Sequence, residues 1–335
     1  MTSKCYFSEQ CLQVDQTVVE KMSSVEKLLK QELGTKKLVS TGRGGGGCIS
    51  HGSAYQTDTG IVFVKFNKES EAMEMFEGEF AGLAALDATG EVTVPKPIKV
   101  IKNPEGGGMI VMEYVDMRSL SKHAACLGEQ MAKLHQHNTL LGQAQASADR
   151  SVHKQQQPGG LEFVSKFGFP VTTCCGYLPQ DNTWTDSWVD FFARKIEQQV
   201  KFVEKKYNDR TARPVWSTLL PNLPKLFQGL DIQPALMHGD LWGGNAAETE
   251  QGPVIFDPAS FYGHSEFDLA ISKMFGGFGQ AFFKSYHAIL PKQAGFEDRL
   301  DLYQMFHYFN HWSHFGGGYE QSAMSILRRL AKKYS

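Results

Sequence analysis

The stretch Met237-His238-Gly239-Asp240-Leu241-Trp242-Gly243-Gly244-Asn245, followed by Val254-Ile255-Phe256-Asp257-Pro258, decides how this chain is read. An acidic residue stands in a loop, an amide follows five positions later, and a second carboxylate closes a short apolar strand. Phosphoryl transfer needs that set. One carboxylate accepts a proton from an attacking hydroxyl, while an amide oxygen and a second carboxylate ligate Mg²⁺ on a nucleotide. Asp240 is therefore the candidate general base, and Asn245 and Asp257 are the candidate metal ligands. Asp and Asn are also ordinary loop formers, so the motif needs support upstream: a phosphate-covering loop, a lysine and a helix-borne glutamate, in that order.

The first of these is Thr41-Gly42-Arg43-Gly44-Gly45-Gly46-Gly47-Cys48-Ile49-Ser50. A dinucleotide-binding turn would be followed at once by a helix, and a Walker A loop would carry Lys where Cys48 stands. A glycine hairpin between two strands fits better. The amides of Gly44, Gly45, Gly46, Gly47 and Cys48 can approach phosphate oxygens because no Cβ intervenes before Cys48. Next, Ile61-Val62-Phe63-Val64-Lys65-Phe66 reads as a strand with an ammonium inside an apolar run, where an unpaired charge is costly. Glu79, on a helix expected over residues 71–88, is the candidate partner, with Glu77 a substitute. Residues 94–101 and 109–115 read as an antiparallel pair. The second strand leads past Met112 into Glu113, Tyr114 and Val115, a hinge whose backbone would bind adenine.

Each stretch has an ordinary reading by itself: a surface turn, a lysine reaching from an edge strand to solvent, a buried strand end. Their order makes the fold α+β and two-lobed, a protein-kinase-like fold. Gly239 replaces the Arg of a protein kinase's His-Arg-Asp, and Asp257-Pro258-Ala259 replaces Asp-Phe-Gly. Those departures point to the aminoglycoside phosphotransferase/choline kinase type. The expected boundaries are a disordered leader at 1–24, a nucleotide-binding lobe at 25–115 and a catalytic and substrate lobe at 116–335.

Helical spacing runs from Val18 to Leu33, across 119–137 and across 186–205, while 142–160 is polar and reads as a loop. Asp268 opens an apolar helix and is expected to cap it or to brace the catalytic loop. Trp242, two residues past Asp240, is a candidate for packing on a substrate ring, with lobe packing the alternative. His307, His311 and His314 recur at i, i+4, i+7, but no neighbouring Cys completes a zinc pattern. Core packing or substrate contact is expected there, with His311 the candidate. Cys174-Cys175 reads as two buried small side chains. Cys48 in a glycine loop is a candidate for oxidation, which would perturb nucleotide binding or link two chains, so the expected state is a monomer or a redox-sensitive homodimer.

The 335 residues are 41% hydrophobic and 21% charged with net charge −2, which gives no electrostatic case for a nucleic-acid or membrane partner. No apolar run approaches the roughly 18 residues of a membrane span. Six cysteines without metal spacing read as reduced thiols, and a cytoplasmic location is expected.

Several segments together resemble the fructosamine-3-kinase family. They are Gly46-Gly47-Cys48-Ile49-Ser50, Val62-Phe63-Val64-Lys65, Met75-Phe76-Glu77-Gly78-Glu79, His238-Gly239-Asp240-Leu241-Trp242, and the string from Asp257 through Pro258-Ala259-Ser260-Phe261-Tyr262-Gly263-His264-Ser265 to Glu266. Val94-Pro95-Lys96-Pro97-Ile98-Lys99-Val100, Cys174-Cys175-Gly176-Tyr177-Leu178-Pro179-Gln180 and Trp242-Gly243-Gly244-Asn245 are similar to its ketosamine-3-kinase branch. The likeness runs from about residue 25 to the C-terminal tail. It implies ATP and Mg²⁺ as cofactors and phosphorylation of the sugar O3 hydroxyl of ketosamines, both small and attached to protein amines: ribulosamines and psicosamines, and also fructosamines, which the other branch takes as well. The phosphorylated adduct then falls apart spontaneously, which repairs the glycated protein. Competing readings are another small-molecule kinase of the choline or aminoglycoside type, a nucleotide-binding pseudokinase, and a structural interaction module.

Overall fold

The apolar run around Lys65 demands a strand covered on both faces, and the chain builds a sheet and two helices around it. The computed structural model describes residues 16–46, 50–103, 106–149 and 161–335. After α1 (Gln16–Leu33) come β1 (Val39–Gly46), β2 (His51–Gln56), β3 (Ile61–Asn67), α2 (Ala72–Thr89), β4 (Pro97–Lys102) and β5 (Gly108–Glu113). The strands form one antiparallel sheet in the order β1-β2-β3-β5-β4. Strand alternation sorts its faces. Val62, Val64 and Val111 pack with Leu29 of α1, whereas Ile110 and Met112 join Phe76, Leu83 and Leu86 of α2. Lys65 lies opposite Ile110 in the register, so its side chain rises on the α2 side.

The second lobe contains β6 (Arg118–Ser119), α3 (Ala124–Asp149), β7 (Cys174–Cys175), β8 (Leu178–Pro179), α4 (Trp188–Tyr207), α5 (Ala212–Leu219), β9 (Ala235–Met237), β10 (Ala246–Glu248), β11 (Pro253–Ile255) and β12 (Phe261–Gly263). It ends with α6 (Phe267–Met274), α7 (Gly279–Ile289), α8 (Phe296–Phe315) and α9 (Glu320–Tyr334). Trp188 and Phe192 of α4, Phe267 of α6, and Tyr303 and Phe306 of α8 form an aromatic centre, with Phe192 and Tyr303 edge to face at 5.0 Å between ring centroids. Two antiparallel pairings then fix the chemistry. β9 pairs with β12 in one small sheet and β10 with β11 in another, so the loop 238–245 and the loop carrying Asp257 run side by side between the two sheets of a small platform.

Two expectations about elements change. α1 begins at Gln16, so residues 16–24 are helical rather than part of a leader. That boundary followed where the family likeness starts, whereas the helical period already begins at Val18. Residues 1–15 lie outside the described residues. α3 runs on to Asp149, through the first part of the stretch expected as a loop at 142–160. Residues 143–149 hold Gln and Ala, which favour helix despite their polarity, and residues 150–160 lie outside the described set. Gly78 explains itself only in three dimensions: a Cβ there would stand 2.5 Å from the Thr172 carbonyl oxygen, so α2 can press onto the second lobe only with glycine.

Glu248 ties the start of α3 to this platform. Its buried carboxylate accepts the amides of Ser121 and His123, both at 2.9 Å, and the Arg118 guanidinium at 3.2 Å. The amides of Ser121 and His123, and then Arg118, hold it at about 2, below its ordinary 4.5, against the opposing effect of burial. A depressed carboxylate stabilises the fold fully above its unfolded value and loses that contribution as pH falls towards the folded value. Glu248→Gln is therefore expected to melt below the parent by a margin that is constant at neutral pH and narrows below about pH 4.5. Thermal melts of both proteins from pH 7 down to pH 3 check this, and a margin that widens on acidification would contradict it.

Candidate active site

Asp240 is held by its own loop. His238, fully buried, donates from Nε2 to the Phe256 carbonyl at 2.9 Å and accepts the Asp240 amide on Nδ1 at 3.2 Å. Burial lowers its pKa, so the neutral ring that this pattern needs is the favoured form. Asp268, at the start of α6, accepts the amides of His238 and Gly239, each at 2.8 Å, and meets His135 Nε2 at 3.2 Å. Asp268 therefore braces the loop that carries Asp240, one of the two structural roles that its position suggested. Burial would raise its pKa, but the His135 hydrogen bond, nearby His238 and the Gly239 amide bring it below the usual carboxylate range. Gly239 has φ +85°, and a Cβ there would lie 2.2 Å from the Ala259 carbonyl oxygen. No arginine could occupy that position without moving the segment 257–259.

The Asn245 amide nitrogen donates to the Asp240 carbonyl at 2.9 Å and to its carboxylate at 3.2 Å. That orientation leaves Asn245 Oδ1 as the atom available to a cation. Asp257 takes a left-handed backbone conformation, φ +57°, which few residues but Asn and Asp tolerate. Burial first, and then the Asp257 carboxylate, push Asp240 up to about 7, opposed by the hydrogen bond from Asn245.

Lys65 reaches this group from the other lobe, with Nζ 2.8 Å from Glu79 Oε1 and 2.7 Å from Asp257 Oδ1. Burial would lower the lysine pKa, yet the two carboxylates reverse the effect and raise it. Burial and the Asp257 charge raise the Glu79 pKa, against Lys65. Along the hinge, the Glu113 amide donates to the Lys96 carbonyl at 2.8 Å and the Tyr114 amide faces the Ile61 carbonyl at 3.4 Å. Among the described residues, the Val115 amide is the one of these three with no protein acceptor. Met112 is buried beneath the sheet. Tyr114 contributes a side chain instead: its hydroxyl accepts from Arg43 of the glycine-rich strand at 3.2 Å. Gly44, Gly45 and Gly46 close β1, while Gly47 and Cys48 lie outside the described residues.

A cleft of about 200 Å³ opens over Asp240 and is lined by Lys65, Asn245 and Asp257. Trp242, Asn310, His311, His314 and Phe315 line it too. Trp242 is 40% exposed and stands edge-on to Phe275, whose other flank carries His311 at 4.9 Å. His311 donates Nδ1 to the His307 carbonyl and His314 to the Asn310 carbonyl, so both rings are anchored by their own helix. The three histidines do not share a ligand. His307 instead points inward, and across the fold it meets Cys175 and Asp240. Local spacing could not show that meeting, because Cys175 arrives from a strand 132 positions earlier. Phe275 and Phe315 also escaped the sequence reading, since an exposed aromatic has no period to mark it.

A lysine on the first-lobe sheet, its helix carboxylate, and an Asp-x-x-x-x-Asn loop beside a strand-end Asp define a phosphotransferase of the kinase-like fold. The model of the fructosamine kinase family matches residues 21–333, and the chain belongs to that family. It is 55% identical over 309 residues to the ketosamine-3-kinase of Mus musculus, covering 92% of this chain and 100% of the mouse protein. It is 40% identical over 294 residues to a chloroplastic protein-ribulosamine 3-kinase of Arabidopsis thaliana, covering 87% of this chain and 82% of the plant protein. A crystal structure of a candidate fructosamine-3-kinase from Thermobifida fusca superposes with TM-score 0.72 at 25% identity, over 92% of this chain and 99% of that one. An ADP-bound aminoglycoside phosphotransferase shares the fold at TM-score 0.54 and 12% identity, over 93% and 99% of the two chains. Among the described residues, no helix is long and apolar enough to cross a membrane.

Proposed function

We propose that this chain is an ATP-dependent ketosamine 3-kinase that phosphorylates the sugar O3 hydroxyl of ribulosamines and psicosamines on protein amines. The observation that carries this reading is the Asp240 carboxylate at the cleft floor, held by Asn245 beside Asp257 and Lys65. Asp240 takes the O3 proton as that oxygen attacks the γ-phosphorus; the bond to the β-phosphate oxygen breaks and ADP leaves. Lys65, oriented by Glu79, binds α/β-phosphate oxygens, and the glycine strand covers them. Asn245 Oδ1 and the Asp257 carboxylate are hard oxygen donors side by side, a set that suits Mg²⁺, and they would hold it. When bound, the ion neutralises charge on the transferring phosphate. Trp242 and His311 line the sugar's side of the cleft, and the Val115 amide meets the adenine.

The product then decomposes without further catalysis. Loss of a C1 proton beside the C2 carbonyl gives an enol, inorganic phosphate departs from C3 to leave an imine at C1, and water hydrolyses that imine to a 3-deoxyosone, freeing the lysine amine. The names and similarity of the relatives support this substrate class. The free thiols of Cys126, Cys174 and Cys175 suit the reducing cytoplasm proposed as its location. Incubation with Mg-ATP and lysines modified by ribulose, psicose or fructose, with choline as control, tests the reading. Phosphate transfer to the ribulose and psicose adducts is expected. Transfer to choline alone, or to none of them, would overturn it.

A further inference from the structure

His307 presents a puzzle that phosphoryl transfer does not solve. It is fully buried on α8, and neither ring nitrogen has a hydrogen-bond partner. Buried polar groups are normally paired, and an orphaned one calls for an unseen water or ion. One ring nitrogen, the Cys175 Sγ and an Asp240 carboxylate oxygen lie within 4.8 Å of one another. The nitrogen makes no hydrogen bond to either, so the three groups stand together without being bonded to one another. Ligand atoms around a tetrahedral zinc, at bonds of about 2.0–2.3 Å, sit about 3.3–3.8 Å apart, so the trio would need to contract by about 1.5 Å at most. Thiolate, imidazole and carboxylate are also the donor types zinc prefers, whereas Mg²⁺ takes oxygen alone. Asp240 and Cys175 both line the cleft, which gives an ion its way in.

We propose that Cys175, Asp240 and His307 form an inhibitory site for a thiophilic divalent cation of the zinc class, placed so that occupation withdraws the catalytic base. On binding, the Cys175 S–H bond breaks, its proton passes to solvent and the sulfur pair goes to the metal. No change of oxidation state is involved. The inhibitory effect rests on Asp240 being the base; the binding site does not.

The test uses the full chain with Co²⁺ as a spectroscopic probe and Zn²⁺ as inhibitor, assayed with Mg-ATP and ribulose-modified lysine. Co²⁺ is expected to give a thiolate charge-transfer band in the near ultraviolet that Cys175→Ser abolishes. Zn²⁺ inhibition, referred to each variant's own uninhibited rate, is expected to weaken by about 10-fold or more in Cys175→Ser and in His307→Gln. Two variants from separate elements guard against a folding defect in one. Absence of the band in the parent protein, or unchanged zinc inhibition in Cys175→Ser, would overturn the site and move any inhibition to the Asn245–Asp257 oxygens. Normal turnover by Asp240→Asn would instead remove the base assignment, while leaving the cobalt band to report the trio.

Discussion

Asp240→Asn is expected to lower turnover by about 10³-fold or more while nucleotide affinity stays within a few-fold of the parent. The substitution keeps the side chain's shape and its hydrogen-bonding neighbour Asn245 but removes the atom proposed to take the hydroxyl proton. An amide oxygen is too weak a base, and Lys65, Glu79 and Asp257, which are proposed to hold the nucleotide, are untouched. The split between the two effects identifies the role: a residue that merely shaped the cleft would disturb binding and turnover together. Phosphate transfer to a ribulose-modified lysine, measured beside calorimetric binding of Mg-ADP, gives both numbers. Turnover within tenfold of the parent would end the assignment.

Asp268→Ala is expected to have the largest effect on stability, about 3–5 kcal/mol, the usual result of removing one partner from a buried charged hydrogen-bond set. Its carboxylate accepts two backbone amides at 2.8 Å and lies 3.2 Å from His135, all out of water. Truncation leaves the amides of His238 and Gly239 without acceptors and the His135 ring without its carboxylate. Because those amides immediately precede Asp240, turnover should fall in whatever fraction of the protein stays folded, with a smaller change in nucleotide affinity. Urea denaturation and steady-state kinetics on the same sample check this. A loss of stability below about 1 kcal/mol would show that the loop does not depend on Asp268.

How much of this was legible in the sequence depends on the range of the interaction. The Asp240-to-Asn245 spacing lies within one loop, and the ammonium of Lys65 inside an apolar run already calls for a partner nearby. The helix that follows offered Glu79, with Glu77 as a substitute, and the 2.8 Å contact with Lys65 singles out Glu79. The bracing role of Asp268 was visible as one possibility because the residue opens a helix. The meeting of His307 with Cys175 was not visible, since local spacing grouped His307 with His311 and His314, while the fold turns it inward and leaves them at the cleft. Gly78 was equally opaque. Glycine inside a helix costs about 1 kcal/mol against alanine, and only the neighbouring Thr172 carbonyl shows what offsets it. The start of α1 at Gln16 shows a different limit, because a boundary taken from family likeness need not coincide with one set by the backbone.

The ion pair between Lys65 and Asp257 has a thermodynamic consequence. Without nucleotide, one ammonium is shared by two carboxylates, and one of these is the proposed cation ligand. A cation approaching alone must compete with a lysine already 2.7 Å from that carboxylate. Phosphates that draw Lys65 towards themselves release Asp257, so each ligand lowers the cost of admitting the other. Linkage makes the coupling reciprocal: the factor by which nucleotide strengthens cation binding equals the factor by which the cation strengthens nucleotide binding. Lys65 would thus make the pair a cooperative unit, because its one positive charge, shared between two carboxylates, is freed for the phosphates only as the cation takes its place at Asp257.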